Sequence, residues 1–146
     1  MLPLVQFIAL LATAFCAGAA VYVNLVEHPA RMKCSTEVAA TVWAPSHKRA
    51  AIMQASLVGV GSLAGLVAWL LGAGQGWLVG ALLILAAIPV TLLVIVPINK
   101  RLLESGRDLA SSETRQLLVK WGQLHAIRSL LCVVASVIFT WKLVGA

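Results

Sequence analysis

The sequence predicts an all-α protein: one four-helix transmembrane bundle over residues 1–146, with a short interfacial segment between helices 1 and 2. Three observations predict it. Hydrophobic residues make up 61% of the chain and charged ones only 11%, against roughly 45–50% and 25% in a soluble domain. A soluble fold of this size has too little interior to hide so much apolar surface. The apolar residues also fall into four runs, and a helix needs roughly 20 such residues to cross a bilayer. The charge is one-sided as well: a net +6, from 11 Lys and Arg against 5 Asp and Glu, gathered between particular runs.

Residues 3–26 carry no charge. At about 1.5 Å per residue they form roughly 36 Å of helix, more than the hydrocarbon core is thick. Ala17-Gly18-Ala19 imitates a signal-cleavage site, but no basic segment precedes it and the apolar run continues past it. An uncleaved helix is expected. Between residues 29 and 52, Ser35 to Trp43 is expected to form a short interfacial helix. Residues 50–71 are the second crossing, where Gly61 and Gly65 have the GxxxG spacing that lets helix backbones approach closely. Gly72-Ala73-Gly74-Gln75-Gly76 reads as a tight turn. Residues 77–98 are the third crossing, with Trp77 as an interfacial anchor. Pro89 is expected to kink this helix and Pro97 to loosen its last turn. The fourth apolar run, 129–141, is too short alone. Its helix must begin near Gln116, which places Trp121, His125 and Arg128 on it, with Trp141 and Lys142 at its far end.

The loops set the orientation. Arg31, Lys33, Lys48 and Arg49 follow the first crossing, and Lys100, Arg101, Arg107, Arg115 and Lys120 follow the third. Only Lys142 lies opposite. Basic loops stay cytoplasmic, so a multi-pass protein of the inner (plasma) membrane is expected, with both termini outside the cytoplasm. This accounts for the basicity without nucleic acid as a partner. Three cysteines without a CxxC motif indicate neither a disulfide framework nor a thiolate zinc site.

The polar residues converge at one membrane face. Helix 1 ends with Asn24, Glu27 and His28; helix 2 begins near Ser46-His47-Lys48-Arg49, with Gln54 a turn deeper; helix 3 ends with Asn99 and Lys100; helix 4 begins with Trp121, His125 and Arg128. Polar groups in lipid are costly and turn inward. Asn24 and His28 share a helix face, as do Trp121, His125 and Arg128. Two chemistries suit the set. His28, His125 and Glu27 can hold a single transition metal, iron or copper. Alternatively, His and Glu serve as general bases toward a phenol-like substrate with no metal. Ordinary roles compete with these. Glu27 and Arg31 are spaced for a simple i,i+4 salt bridge, and Lys100, Arg101 and Lys120 are placed to snorkel to headgroups. Trp43 and Trp121 suit interfacial packing, and His47 reads as a solvated loop residue. No HxxxH or ExxH spacing supports the metal.

At these residues the chain resembles a known family. Tyr22-Val23-Asn24-Leu25-Val26-Glu27-His28-Pro29-Ala30-Arg31 is similar to the segment closing the first helix of anthrone oxygenase-like membrane proteins. Trp43-Ala44-Pro45-Ser46-His47-Lys48-Arg49 resembles their W-x-P-S segment, and Met53-Gln54-Ala55 the opening turn of their second helix. Pro97-Ile98-Asn99-Lys100-Arg101 resembles P-x-N-K-R, and Trp121 to Arg128 resembles W-x-x-x-H-x-x-R. The resemblance implies four membrane helices with a polar site at one end. It also implies O₂-dependent chemistry on a phenolic, anthrone- or quinol-like compound, since fungal relatives oxidise anthrones to anthraquinones.

The expected function is a membrane oxidoreductase acting on an aromatic small molecule in a polar pocket at the cytoplasmic face. Glu27, His28 and His125 are the expected bases or metal ligands, and Arg128 and Lys100 the stabilisers of oxyanion charge. Asn24, Gln54 and Asn99 orient substrate or histidines, and Trp43 and Trp121 wall the pocket. Arg128, inside the membrane, needs a partner, and Glu27 is the candidate. The alternative is a non-catalytic ligand-binding or transport subunit. Expected partners are the lipid bilayer and the aromatic small molecule, with a homo-oligomer left open.

Overall fold

The computed structural model describes residues 1–145, all of the secondary structure being helical. Four rods are long and apolar enough to cross a membrane: α1, Leu2–Arg31; α2, Thr36–Ala73; α3, Gln75–Leu102; and α4, Ser112–Val144. The chain is a multi-pass membrane protein. The connections are short at residues 32–35, a single Gly74 between α2 and α3, and longer at 103–111. The four rods alternate in direction, so Met1 and Gly145 lie at one end and the basic connections at the other.

Each rod outruns its apolar stretch, for local reasons. The Ser35 hydroxyl caps α2 by accepting from Val38 N–H at 3.4 Å, and Ser111 caps α4 through Thr114 N–H at 3.2 Å. The interfacial helix expected at Ser35 to Trp43 is not separate. It is the first part of α2, which runs on through Pro45. Gly72 and Gly74 adopt φ of +87° and +94°, the left-handed backbone that ends α2 and reverses the chain into α3.

Two prolines are accommodated rather than helix-ending. The turns Val23–Glu27 and Thr91–Ile95 are wide, with His28 N–H bonding Val23 O and Val96 N–H bonding Thr91 O. Each wide turn lies just before a proline, Pro29 or Pro97. One extra residue in the turn relocates the hydrogen-bond ladder where a proline cannot donate. Ala86, ahead of Pro89, interrupts α3 once more.

The core has three layers along the bundle. Ala9, Ala64, Ala68, Trp77, Ala81 and Phe139 pack at the end of the termini. Trp77, expected at the interface, is buried there and stacks on Phe139 with ring centroids 4.8 Å apart. Cys16, Val58, Ile84, Ala87, Cys132 and Ala135 form the middle layer. Small residues allow this closeness: a Cβ on Gly61 would stand 2.7 Å from Thr13 Oγ1, and one on Gly65 2.7 Å from the Phe139 ring. The GxxxG face is therefore occupied within the chain, against α1 and α4. The third layer, around Trp43, Ile95, Leu118 and Trp121, surrounds the polar residues.

Candidate active site

α2 and α3 pack along the half of their length near the Gly74 turn and separate along the other half. The separation begins where Ala86 and the wide turn 91–95 interrupt the regular hydrogen-bond ladder of α3. A cavity of about 330 Å³ fills the gap, with α1 and α4 behind it. Its body is apolar, from Ala51, Ala55, Val58, Ala87, Ile88 and Leu92, and its polar wall holds Glu27, Arg31, His47, Gln54, Asn99, Trp121, His125 and Arg128. Ala55, Ile88 and Leu92 are also exposed on the lipid-facing side, so the cavity has a lateral mouth between α2 and α3.

One hydrogen-bond chain defines the state of His125. The Asn24 amide nitrogen donates to Gly122 O at 3.0 Å, which turns its oxygen toward α4. That oxygen accepts from His125 Nδ1 at 2.8 Å and from the Ser129 hydroxyl at 2.5 Å. His125 therefore carries its proton on Nδ1, and Nε2 is left with a free lone pair. The ring is buried at 4% exposure, and it borders the cavity.

Aromatic rings frame it. Trp121 stacks on His125 at 5.0 Å, meets His28 at 5.2 Å, and takes Trp43 and His47 edge-on at 5.7 and 5.9 Å. His47 lies flat on Trp43, 4.8 Å away and 3° from parallel. Ring stacking of this kind fixes orientation as well as contributing burial energy.

The charges are unevenly matched. Arg31 pairs with Glu27 one turn back, and the Ser46 hydroxyl bonds both at 3.1 Å, tying α1 to α2 across the basic end of the cavity. Arg128 is 8% exposed, with no carboxylate within ion-pair distance among the described residues and its Nε without a hydrogen-bond partner. The side chains of Gln54 and Asn99 are buried too, and both carbonyl oxygens lack a hydrogen-bond partner.

The structure thus gathers Glu27, Gln54, Asn99, Trp121, His125 and Arg128 at one cavity, and places four other predicted site residues elsewhere. Lys100 is exposed and does not line the cavity. His28 is buried behind Trp121, its ring so close to Gly122 that a Cβ there would be 2.6 Å from Nε2. Asn24 holds His125 from behind, and Trp43 supports His47. Arg128 does not pair with Glu27, because Arg31 on the same helix reaches the carboxylate first. Among the described residues no three His, Cys, Asp or Glu side chains stand together as metal ligands. Glu27 faces Arg31 and His28 lies outside the cavity, so the set proposed for iron or copper is not assembled. Sequence reasoning anticipated the Glu27–Arg31 pair as an ordinary salt bridge, but it read His47 as a solvated loop residue and gave Ser46 no role. The signal was the i,i+4 spacing of Trp43 and His47, which becomes meaningful once α2 is known to start at Thr36.

The family model described as anthrone oxygenase matches residues 2–138. The chain belongs to the anthrone oxygenase family. A curated relative, the anthrone oxygenase tpcL of Aspergillus fumigatus, is 37% identical over 70 residues, or 46% of this chain and 44% of that protein. The chain thus matches less than half the length of this relative. No solved structure matches it. Membership of the anthrone oxygenase family supports an oxygenase-like function.

Proposed function

We propose that this protein is an O₂-dependent oxidoreductase of the plasma membrane, acting on a phenolic, anthrone-like compound in the cavity at the cytoplasmic end of α2 and α3. The observation that carries the reading is His125. It is a buried imidazole whose Nδ1–H is committed to Asn24, which leaves Nε2 as a base toward an apolar cavity. The cavity volume is at the lower end of the range for small-molecule sites.

The rings of the substrate lie against Ala51, Ala55, Val58 and Ile88. Its phenolic hydroxyl groups donate to the unpartnered carbonyl oxygens of Gln54 and Asn99. An anthrone methylene is acidified by its enol tautomer. His125 Nε2 removes a proton from that carbon, and Asn24 keeps the resulting imidazolium oriented. The negative charge moves to the ring oxygen, where the neighbouring His125 imidazolium stabilises it. The electron-rich enolate is then the species that O₂ oxidises. Overall the CH₂ becomes C=O, with one oxygen atom of O₂ in the ketone and the other leaving in water. No step needs Lys100 or a metal.

The test is turnover of a hydroxylated anthrone by the purified protein in air, followed by anthraquinone absorbance and O₂ uptake. Acceleration over autoxidation that His125→Ala lowers by at least about 100-fold supports the reading, since general bases contribute about 10²–10⁴-fold. Binding without acceleration overturns it in favour of a ligand-binding or transport subunit.

A further inference from the structure

Arg128 is a fixed cation inside a membrane bundle. Such a group is costly in the hydrocarbon core, and a buried charge without a partner is strongly destabilising. Proteins answer this with a counter-ion. Here none of the described acidic residues serves. Glu27 is taken by Arg31 and Ser46, Glu104 and Glu113 pair with Arg101 and Arg107 in the outer connection, and Asp108 caps that connection by bonding Ala110 N–H. Glu37 is exposed on the first turns of α2. Within the cavity wall the ionic side chains are Glu27, Arg31 and Arg128, a net +1. The unmatched unit is Arg128, nine-tenths buried, bordering the cavity, with its Nε lacking any hydrogen-bond partner.

We propose that the molecule bound in this cavity is an aromatic acid, ionised at neutral pH, whose carboxylate is the counter-ion of Arg128. The proposal rests on the cavity being an aromatic-ligand site and goes further by naming the charge the ligand must carry. Guanidinium and carboxylate match in plane and in spacing, so one acid group satisfies two N–H donors at once. The carbonyl oxygens of Gln54 and Asn99, both lacking partners, accept from hydroxyl groups of the ligand, and the Ala and Val surfaces take the rings. Arg128 is then the anchor that sets the ligand's position relative to His125, one turn earlier on α4.

The experiment compares anthraquinone-2-carboxylate with its methyl ester, two probes alike in ring system and different in charge. Binding to the full-length protein in detergent micelles is read from quenching of tryptophan fluorescence. The acid is expected to bind at least ten times more tightly than the ester. Arg128→Gln removes that preference by weakening the acid, and Arg128→Lys keeps part of it. Equal affinity for the two probes in the unsubstituted protein overturns the proposal and leaves the aromatic-ligand reading standing. A preference that survives Arg128→Gln also overturns it. Failure of both probes to bind overturns the proposal together with the reading beneath it. Displacement of the acid by added phosphatidylglycerol overturns it in favour of a lipid headgroup as the anion.

Discussion

Asn24 is the residue on which the geometry of His125 depends. Its amide donates to Gly122 O, so its oxygen can only accept, and that fixes the imidazole tautomer. Asn24→Leu keeps the volume and removes the bonds. Turnover of an anthrone is expected to fall by on the order of 10–100-fold, because small misplacements of a catalytic group cost up to about 10². The cavity should still take up its ligand, so KM is expected to change far less than kcat. Steady-state kinetics check this, and a proportional loss of both would place Asn24 in binding instead. Gly122 makes a separate prediction. A methyl group there would meet the His28 ring at 2.6 Å. Gly122→Ala is therefore expected to destabilise by about 1–3 kcal/mol, the usual cost of overpacking. Adding His28→Ala should recover part of the loss, since the two effects share one contact. Thermal unfolding of the single and double variants in micelles decides it.

At the scale of the element, the wide turns shape the site. One such turn in α3, Thr91–Ile95, holds an extra residue where α3 borders the cavity. Deleting Leu93, which is 76% exposed, takes out that residue while leaving the rod facing the same way on both sides of it. The expected outcome is a folded protein, with a melting temperature within several degrees, whose ligand affinity falls at least about tenfold as the gap narrows. Hydrophobic patterning made the four rods legible in the sequence, and the one-sided polar residues pointed to the end where the cavity lies. The wide turns were not legible, because a shift of one hydrogen bond leaves the composition of an apolar stretch unchanged. The same blindness hid His47. A residue between a proline and two basic side chains has the composition of a loop, and only the continuity of α2 through Pro45 puts it against Trp43. Trp77 misled for the opposite reason: a tryptophan at the start of an apolar run suits both the interface and a tight layer beside Phe139.

For the whole molecule, the four rods and the charge on their connections predict the orientation. Arg31, Lys33, Arg101, Arg107, Arg115 and their basic neighbours lie at the cavity end, opposite Lys142. Basic connections remain in the cytoplasm, so both termini are expected on the outer side. A C-terminal alkaline phosphatase fusion should be active and a C-terminal fluorescent protein dark; the reverse pattern inverts the protein and moves the site to the outer surface. That orientation also matters for the ion pair of Glu27 and Arg31, which with Ser46 spans the water-facing end of the cavity.

The gap between α2 and α3 is edged by the exposed apolar residues Ala55, Ile88 and Leu92, a rim suited to entry from the acyl chains. A protein fed through such a mouth counts its substrate per lipid molecule, not per litre. Its kinetics therefore obey surface dilution. In vesicles holding a fixed amount of protein and substrate, extra inert lipid spreads the substrate over more bilayer and lowers its mole fraction. Below saturation the rate should fall in proportion, although the bulk concentration is unchanged. Doubling the water at constant lipid should leave the turnover of each protein molecule nearly the same for a substrate that partitions strongly.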